Sequence, residues 1–471
     1  MSQLREWQKR CLDSIIQKHI NTQTFLCVAC PGAGKSYLSA KLAELYLRKG
    51  IVDYIVCIAP SCEIVSGLRS TFKEVLGSGF DAKLGAVGGV YTYQSLKGLG
   101  KEFWEHLAKY KVLVIIDEIH HCSGHTIAEA NAWGTELFKN IEKVGTFILA
   151  MTGTPWRSDD VKIPLLEYDP DTNALICDFE YSLTQAVEDG VCRSPRIYAL
   201  DNPRIAAVID GARSEYSSVE ELTRLGEVGL GRLINDSKVV LALLEESVNR
   251  LDIIRRSYPS AGGLVVADSI KHAEQILTML ERHFGKSATI VTSKNKDAQD
   301  RIAKFRYSDE QWIVAVGMIS EGVDIPRLQV CCHLTSVKTE LHFRQVLGRV
   351  LRWMSDGGNE GWLYILAHPA LVACAEEIYS LVPEARVNTH LSTAGLLTEE
   401  LTAHAYTGNG DSESFPGCED HSIVVEWLED DSKVIAESFS QTQDTNFQIN
   451  FLESFRAQLI QSCLDSSRRL Y

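Results

Sequence analysis

"ACPGAGKSYLSAKL", residues 29–42, follows the apolar run "TFLCVA" (24–29) and leads into leucines at helical spacing, Leu38, Leu42, Leu45 and Leu47. Strand, glycine-rich turn and helix in that order form a phosphate cradle. Gly32 and Gly34 let backbone N–H groups close around a β-phosphate with no Cβ in the way, and Pro31 and Ala33 complete the turn. Lys35 stands where a cation reaches the β- and γ-phosphates, and the Ser36 hydroxyl suits Mg²⁺. The N-terminus of the following helix adds its partial positive charge. A bland Gly/Ala turn would lack the Lys-Ser pair. By itself the stretch fits a kinase, a GTPase switch or a motor equally.

Alternation continues outward from the cradle. "YIVCIAP", "KVLVIIDE" and "GTFILAMTG" alternate with helical segments up to about residue 155, which predicts a parallel α/β sheet. A second series follows: "GGLVVAD", "SATIVTS", "QWIVAVGM", "VCCHLTS" and "GWLYILA". This second unit has no phosphate loop of its own, so one nucleotide is expected in the cleft between two units. Residues 157–257 read as a strand-poor connector whose helices include "YSLTQAVEDGV" and "EELTRLGEVGLGRLI". The predicted domains are 1–195, 196–370 and an accessory region, 371–471. In that last region "FLESFRAQLIQSCL" sets Phe451, Phe455, Leu459 and Cys463 on one helical stripe, either packed on its own core or offered to a protein partner.

The chain has 471 residues, too many for one core. With 47 basic and 62 acidic residues it carries a net charge of −15, so a nucleic-acid contact must be a local groove, not a global field. No apolar run reaches membrane-spanning length, and the start, "MSQLREWQKR", shows no signal-peptide core. Thirteen cysteines without a regular framework suit reduced thiols. The expectation is a cytoplasmic protein without membrane contact.

"VLVIIDEIHH" (112–121) ends a buried strand in Asp117-Glu118, where P-loop enzymes hold Mg²⁺ and polarise the attacking water. With this pair in place the chain resembles superfamily 2 helicases of the DExH type, from residue 4 to about 353. "LREWQ" (4–8) resembles their adenine-reading motif, with Gln8 on the base edge. "APSCEIV" (59–65) and "TYQSL" (92–96) stand where the family has nucleic-acid contacts, which makes Ser61 and Gln94 candidates. "TGTPWR" (152–157) matches the motif linking nucleotide state to grip and adds Arg157. Ser269, after "GGLVVAD", is the candidate in the second unit. "GMISEGVDIPRL" (317–328) resembles motif V, which implies that Gly322 and Asp324 lie on the nucleotide.

"HFRQVLGRVLRW" (342–353) resembles motif VI. Gln345, Arg349 and Arg352 at i, i+4 and i+7 would share one helical face and reach across the cleft, the arginines as fingers. The branch that "YQSL", "DEIHH" and "SEGVDIPRL" resemble contains excision-repair-type helicases and motors of type III restriction enzymes. The resemblance implies two tandem RecA-like parallel-sheet domains with a helical connector and a small accessory region. It also implies ATP and Mg²⁺ as cofactors and a nucleic-acid track, DNA favoured over RNA. A duplex translocase that does not unwind and a nucleotide-gated clamp stay open as alternatives. The Cys27–Cys30 spacing reads as packing more than redox chemistry. "HHCSGH" (120–125) reads as part of the DExH motif more than a zinc site, with His120 coupling the metal site to its neighbours.

Overall fold

A computed structural model describes residues 4–121, 137–153, 162–317, 325–381 and 447–460, apart from positions 84, 164, 210–211, 293, 295–296 and 355–356. Six strands form the first sheet: β1 (Thr24–Ala29), β2 (Tyr54–Ala59), β3 (Gly88–Thr92), β4 (Val112–Asp117), β5 (Gly145–Thr152) and β6 (Phe179–Tyr181). They are all parallel, in the order β3-β2-β4-β5-β1-β6. The strands are apolar almost throughout because both faces are covered. Phe25, Cys27 and Ala29 pack on one side with Trp7, Leu38 and Leu42, while Leu26 and Val28 pack on the other with Leu107, Phe138 and Ile141. Period-two alternation within β1 thus serves two cores at once.

The second sheet comprises β7 (Ser194–Asp201), β10 (Gly262–Ala267), β11 (Ala288–Thr292), β12 (Trp312–Val316), β13 (Leu328–Leu334), β14 (Glu360–Leu366) and β16 (Arg456–Leu459), in the order β11-β12-β10-β13-β14-β7-β16. All its pairings are parallel except that of β16 with β7. A small antiparallel sheet sits beside it, with β8 (Ile205–Ile209) between β9 (Ala212–Tyr216) and β15 (Phe447–Phe451). The architecture is two RecA-like α/β units, the fold class expected.

Two local expectations need correction. The 157–257 connector does carry the helices Leu183–Glu188, Val219–Leu225 and Leu230–Leu233, but it also carries β6 to β9. Two of them carry little strand signal: "FEY" is short and "ARSEY" is polar and exposed over four of its five residues. The Phe451–Leu459 stripe is not a helix. "FQINF" and "RAQL" are strands, and each alternates exposed with less exposed residues. Tertiary pairing decides: β15 joins β8, and β16 closes the edge of β7 with Arg456 opposite Asp201. Cys463 lies outside the described residues.

Phe451 is buried, packs 4.9 Å from the Phe455 ring, and its carbonyl accepts from Lys238 Nζ at 3.3 Å. Phe451→Ala is therefore expected to cost about 3 kcal/mol of stability, read as an earlier denaturant midpoint. An unchanged midpoint would mean that β15 is not part of the second unit's core. Among the described residues no helix is long and apolar enough to cross a membrane.

Candidate active site

The first α/β unit presents the C-terminal end of β1 to the cleft, where ligands of parallel sheets bind, whereas the second unit meets it through residues packed at the starts of β7 and β14. β1 ends at Ala29 and, after five intervening residues, the helix Lys35–Arg48 begins. Gly32 and Gly34 hold φ of +83° and +98°, left-handed values that a side chain would strain. The loop is further fixed from the N-terminal helix: Arg5 Nη1 donates to Ala33 O at 2.8 Å, and Gln8 Nε2 donates to Gly34 O at 3.0 Å. Gln8 Oε1 accepts from the Arg5 N–H at 2.8 Å. Gln8 is thus buried against the phosphate loop itself.

Lys35 Nζ donates to Ala29 O at 2.9 Å and faces Glu118 Oε1 at 3.5 Å. Burial alone would lower the ammonium, but Glu118 and Asp117 outweigh it and hold its pKa above the ordinary value. Asp117 ends β4 and is buried. Glu118 takes a left-handed φ of +49°, a costly conformation for a residue with a Cβ. That turn brings its Oε2 to the Gly153 N–H at 3.1 Å and the Thr152 hydroxyl at 3.2 Å. His120 Nδ1 lies 2.8 Å from the same hydroxyl. Since Thr152 donates to Glu118, it accepts from His120, which requires the proton on Nδ1. Tyr93, beside Gln94, donates its hydroxyl to Asp117 O at 2.9 Å.

The second unit touches this loop directly. Gly348, on the helix Glu340–Val350, lies so close to Pro31 that an added Cβ would meet Pro31 Cβ at 2.7 Å. An added Cβ on Gly32 would meet Arg352 Cγ at 3.3 Å and Cys192 Sγ at 3.8 Å. Arg349 is buried near the helix's C-terminal end, where a cation is favoured, and Gln345 is half-buried one turn earlier. The expected shared helical face for Gln345, Arg349 and Arg352 needs correction: the helix stops at Val350. The linker between β6 and β7 captures the chain there, through an Arg193 N–H to Leu351 O bond of 2.8 Å and a bridge between Cys192 and Arg352.

Ser61 and Ser269 cap the helices after β2 and β10, accepting from Ile64 N at 3.4 Å and His272 N at 3.2 Å. Gln94 is exposed after β3. Arg157, Gly322 and Asp324 lie outside the described residues, as does most of "HHCSGH". Among the described residues no group of three or more His, Cys, Asp or Glu could hold a metal. Cys27 and Cys30 do not face each other: Cys27 Sγ lies 3.7 Å from Cys11 Sγ, and Cys30 Sγ lies 3.9 Å from Cys192 Sγ. Sequence reasoning missed Gly348, Tyr93, Cys192 and Arg193. Only the glycine's place beside Arg349 carried a readable signal.

Residues 1–157 match the family described as type III restriction enzyme, res subunit, and residues 246–354 match the helicase conserved C-terminal domain. Two such domains in this order, on two RecA-like sheets meeting at a phosphate loop, define the helicase class of ATPases. The two matches together support a superfamily 2 helicase. It is 29% identical to Rv2917 of Mycobacterium tuberculosis over 396 residues, 80% of this chain and 63% of that protein. To ML1624 of Mycobacterium leprae it is 30% identical over 399 residues, 80% of this chain and 64% of that one. The chain spans a little under two thirds of the length of these curated relatives.

Solved structures share the fold. A fragment of a putative HsdR subunit of a type I restriction enzyme from Vibrio vulnificus matches with a TM-score of 0.52 and 18% identity, over 79% of this chain and 65% of that one. The Type ISP restriction-modification enzyme LlaBIII bound to DNA matches with 0.51 and 15%, over 81% and 30%. S. cerevisiae Dbp5 bound to RNA and ADP BeF3 matches with 0.51 and 13%, over 84% and 92%.

Proposed function

We propose that this chain is an ATP-driven motor on DNA, a helicase or translocase, hydrolysing ATP with Mg²⁺ between its two units. The observation carrying this reading is the seating of Gly348 on Pro31, with Arg352 against Gly32 across the loop from Lys35 and Glu118. The donor set fits the cofactors: a cation, left-handed glycines and a helix N-terminus for phosphates, and Ser36 with Asp117 for a hard divalent ion. Mg²⁺ would supply charge neutralisation on the phosphates. In this reading Lys35 binds the β- and γ-phosphates and Glu118 orients the attacking water. Arg349 and Arg352 meet charge that develops in transfer, Gln345 positions them, and Gln8, Gly322 and Asp324 border the nucleotide. Ser61, Gln94, Arg157 and Ser269 are the proposed nucleic-acid contacts.

DNA is favoured because two of the structural neighbours are restriction enzymes, one of them bound to DNA. The ten described cysteines are all free thiols, which suits the cytoplasm. Residues 371–471, beyond the strands they lend the second unit, are the proposed region for a protein partner.

ATPase turnover measured against single-stranded DNA, duplex DNA and RNA tests the proposal. DNA is expected to raise turnover, and the apparent affinity to fall with salt as counterions are released. Turnover indifferent to every nucleic acid at low salt would replace the motor with a partner-driven clamp. Strand displacement beside triplex displacement then separates a helicase from a translocase that leaves duplex intact.

A further inference from the structure

The chain passes from β6 to β7 through a short linker whose last residue, Arg193, is fully buried. Its guanidinium gathers carbonyls from three separate segments. Nε donates to Gly358 O at 2.9 Å, and Nη1 donates to Leu328 O at 2.7 Å and to Pro326 O and Val350 O at 3.2 Å each. Gly357 leaves the room for this: a Cβ there would stand 2.6 Å from Arg193 Nη2.

The acceptors are placed tellingly. Pro326 and Leu328 end the segment "GMISEGVDIPRL". Val350 stands between Arg349 and Arg352, and the Arg193 N–H holds Leu351 O in the same stretch. The preceding residue, Cys192, bridges Arg352 and turns its thiol to Pro31 O at 3.6 Å. The linker therefore grips the phosphate loop with one residue and the arginine-bearing segment with the next.

We propose that Arg193 is a positioning residue: from the linker it ties the end of the helix leading to Arg352 to the start of β13 and the turn before β14, and so sets where Arg352 stands relative to Lys35. The inference rests on the nucleotide site proposed above. Its physical basis is the shape of the guanidinium. A planar fork with five N–H donors can hold several carbonyls in fixed directions, whereas an ammonium on a flexible stem cannot. Burying a cation is costly, and an apolar side chain of similar volume would fill the space without that cost. What the guanidinium adds is the geometry of the carbonyls, and hence of the residues between them.

The test uses the full chain as wild type, Arg193→Lys and Arg193→Gly. A fluorescent ATP analogue counts nucleotide sites and gives their affinity, and phosphate release with saturating DNA gives turnover per site. Both variants are expected to bind the analogue within about three-fold of wild type. Turnover per site is expected to fall by roughly 10- to 100-fold, the scale set by an ångström of misplacement. Added guanidinium ion at sub-denaturing concentration should restore part of the rate to Arg193→Gly, and methylammonium should not. Should the glycine variant fail to fold, the per-site turnover of Arg193→Lys decides alone. Unchanged turnover in Arg193→Lys, or affinity falling in step with rate, would overturn the inference. A wild type without any turnover would overturn the nucleotide reading and this inference with it, whereas an active wild type beside an unchanged Arg193→Lys overturns this inference alone.

Discussion

Lys35→Ala loses ATP hydrolysis to background. The ammonium stands between Ala29 O and the Glu118 carboxylate, at 2.9 Å and 3.5 Å, at the mouth of the glycine turn. Two carboxylates hold it charged against the pull of burial, so it is cationic at any working pH. No other lysine lies on the loop. Removing it takes a preorganised charge from the place proposed to meet the phosphates, a loss of about 10³-fold or more. It also leaves Glu118 facing Thr152 and Gly153 without its cation, so the carboxylate is left less well oriented. Phosphate release with saturating DNA is the measurement, alongside circular dichroism to show that the fold survives. A variant turning over like wild type would move the nucleotide site away from this loop.

Arg352→Ala separates binding from chemistry. Arg352 is carried by the second unit yet packs its side-chain stem on Gly32. Its proposed role is to neutralise charge that appears only during transfer, with Lys35 and a divalent ion proposed to serve the ground state. An interaction made mainly in the transition state lowers kcat when lost and spares affinity. The variant is expected to bind nucleotide within a few-fold of wild type and to turn over at least ~100-fold more slowly. Arg352→Lys should not restore the rate, because an ammonium lacks the planar two-pronged contact. Nucleotide titration paired with phosphate release reads both quantities. Equal losses of affinity and rate would show Arg352 to be a ground-state contact, and no loss would remove it from the site.

What was legible in the sequence was local. β1, its glycine turn and the helix behind it follow one another without interruption, so position and composition agree. β4 is six buried residues ending in Asp117, a pattern that needs no partner to be read. Illegible features arise where two distant stretches meet. Phe451, Phe455 and Leu459 fit helical spacing as well as they fit two short strands, and only pairing with β8 and β7 decides. Arg352 continues the helical count from Arg349, yet the linker pulls it out of the helix. Arg193 looks like one more basic residue at a domain boundary. Its importance comes from four carbonyls, the nearest of them 133 residues away.

The antiparallel seal of β16 on β7 bears on how the chain comes into being. Synthesis delivers β7 early and β16 late, with the Asn202-to-Glu453 contact beside this pairing spanning 251 residues. In the interval the β7 edge shows unpaired N–H and C=O groups to whatever is near. The first unit, whose strands all lie within the first 181 residues, can fold on the ribosome well before that. Its partner must wait for a pairing of very high sequence separation, which folds slowly. A nascent chain thus passes through a stage with a finished phosphate loop and an unfinished opposite wall, the stage most in need of a chaperone.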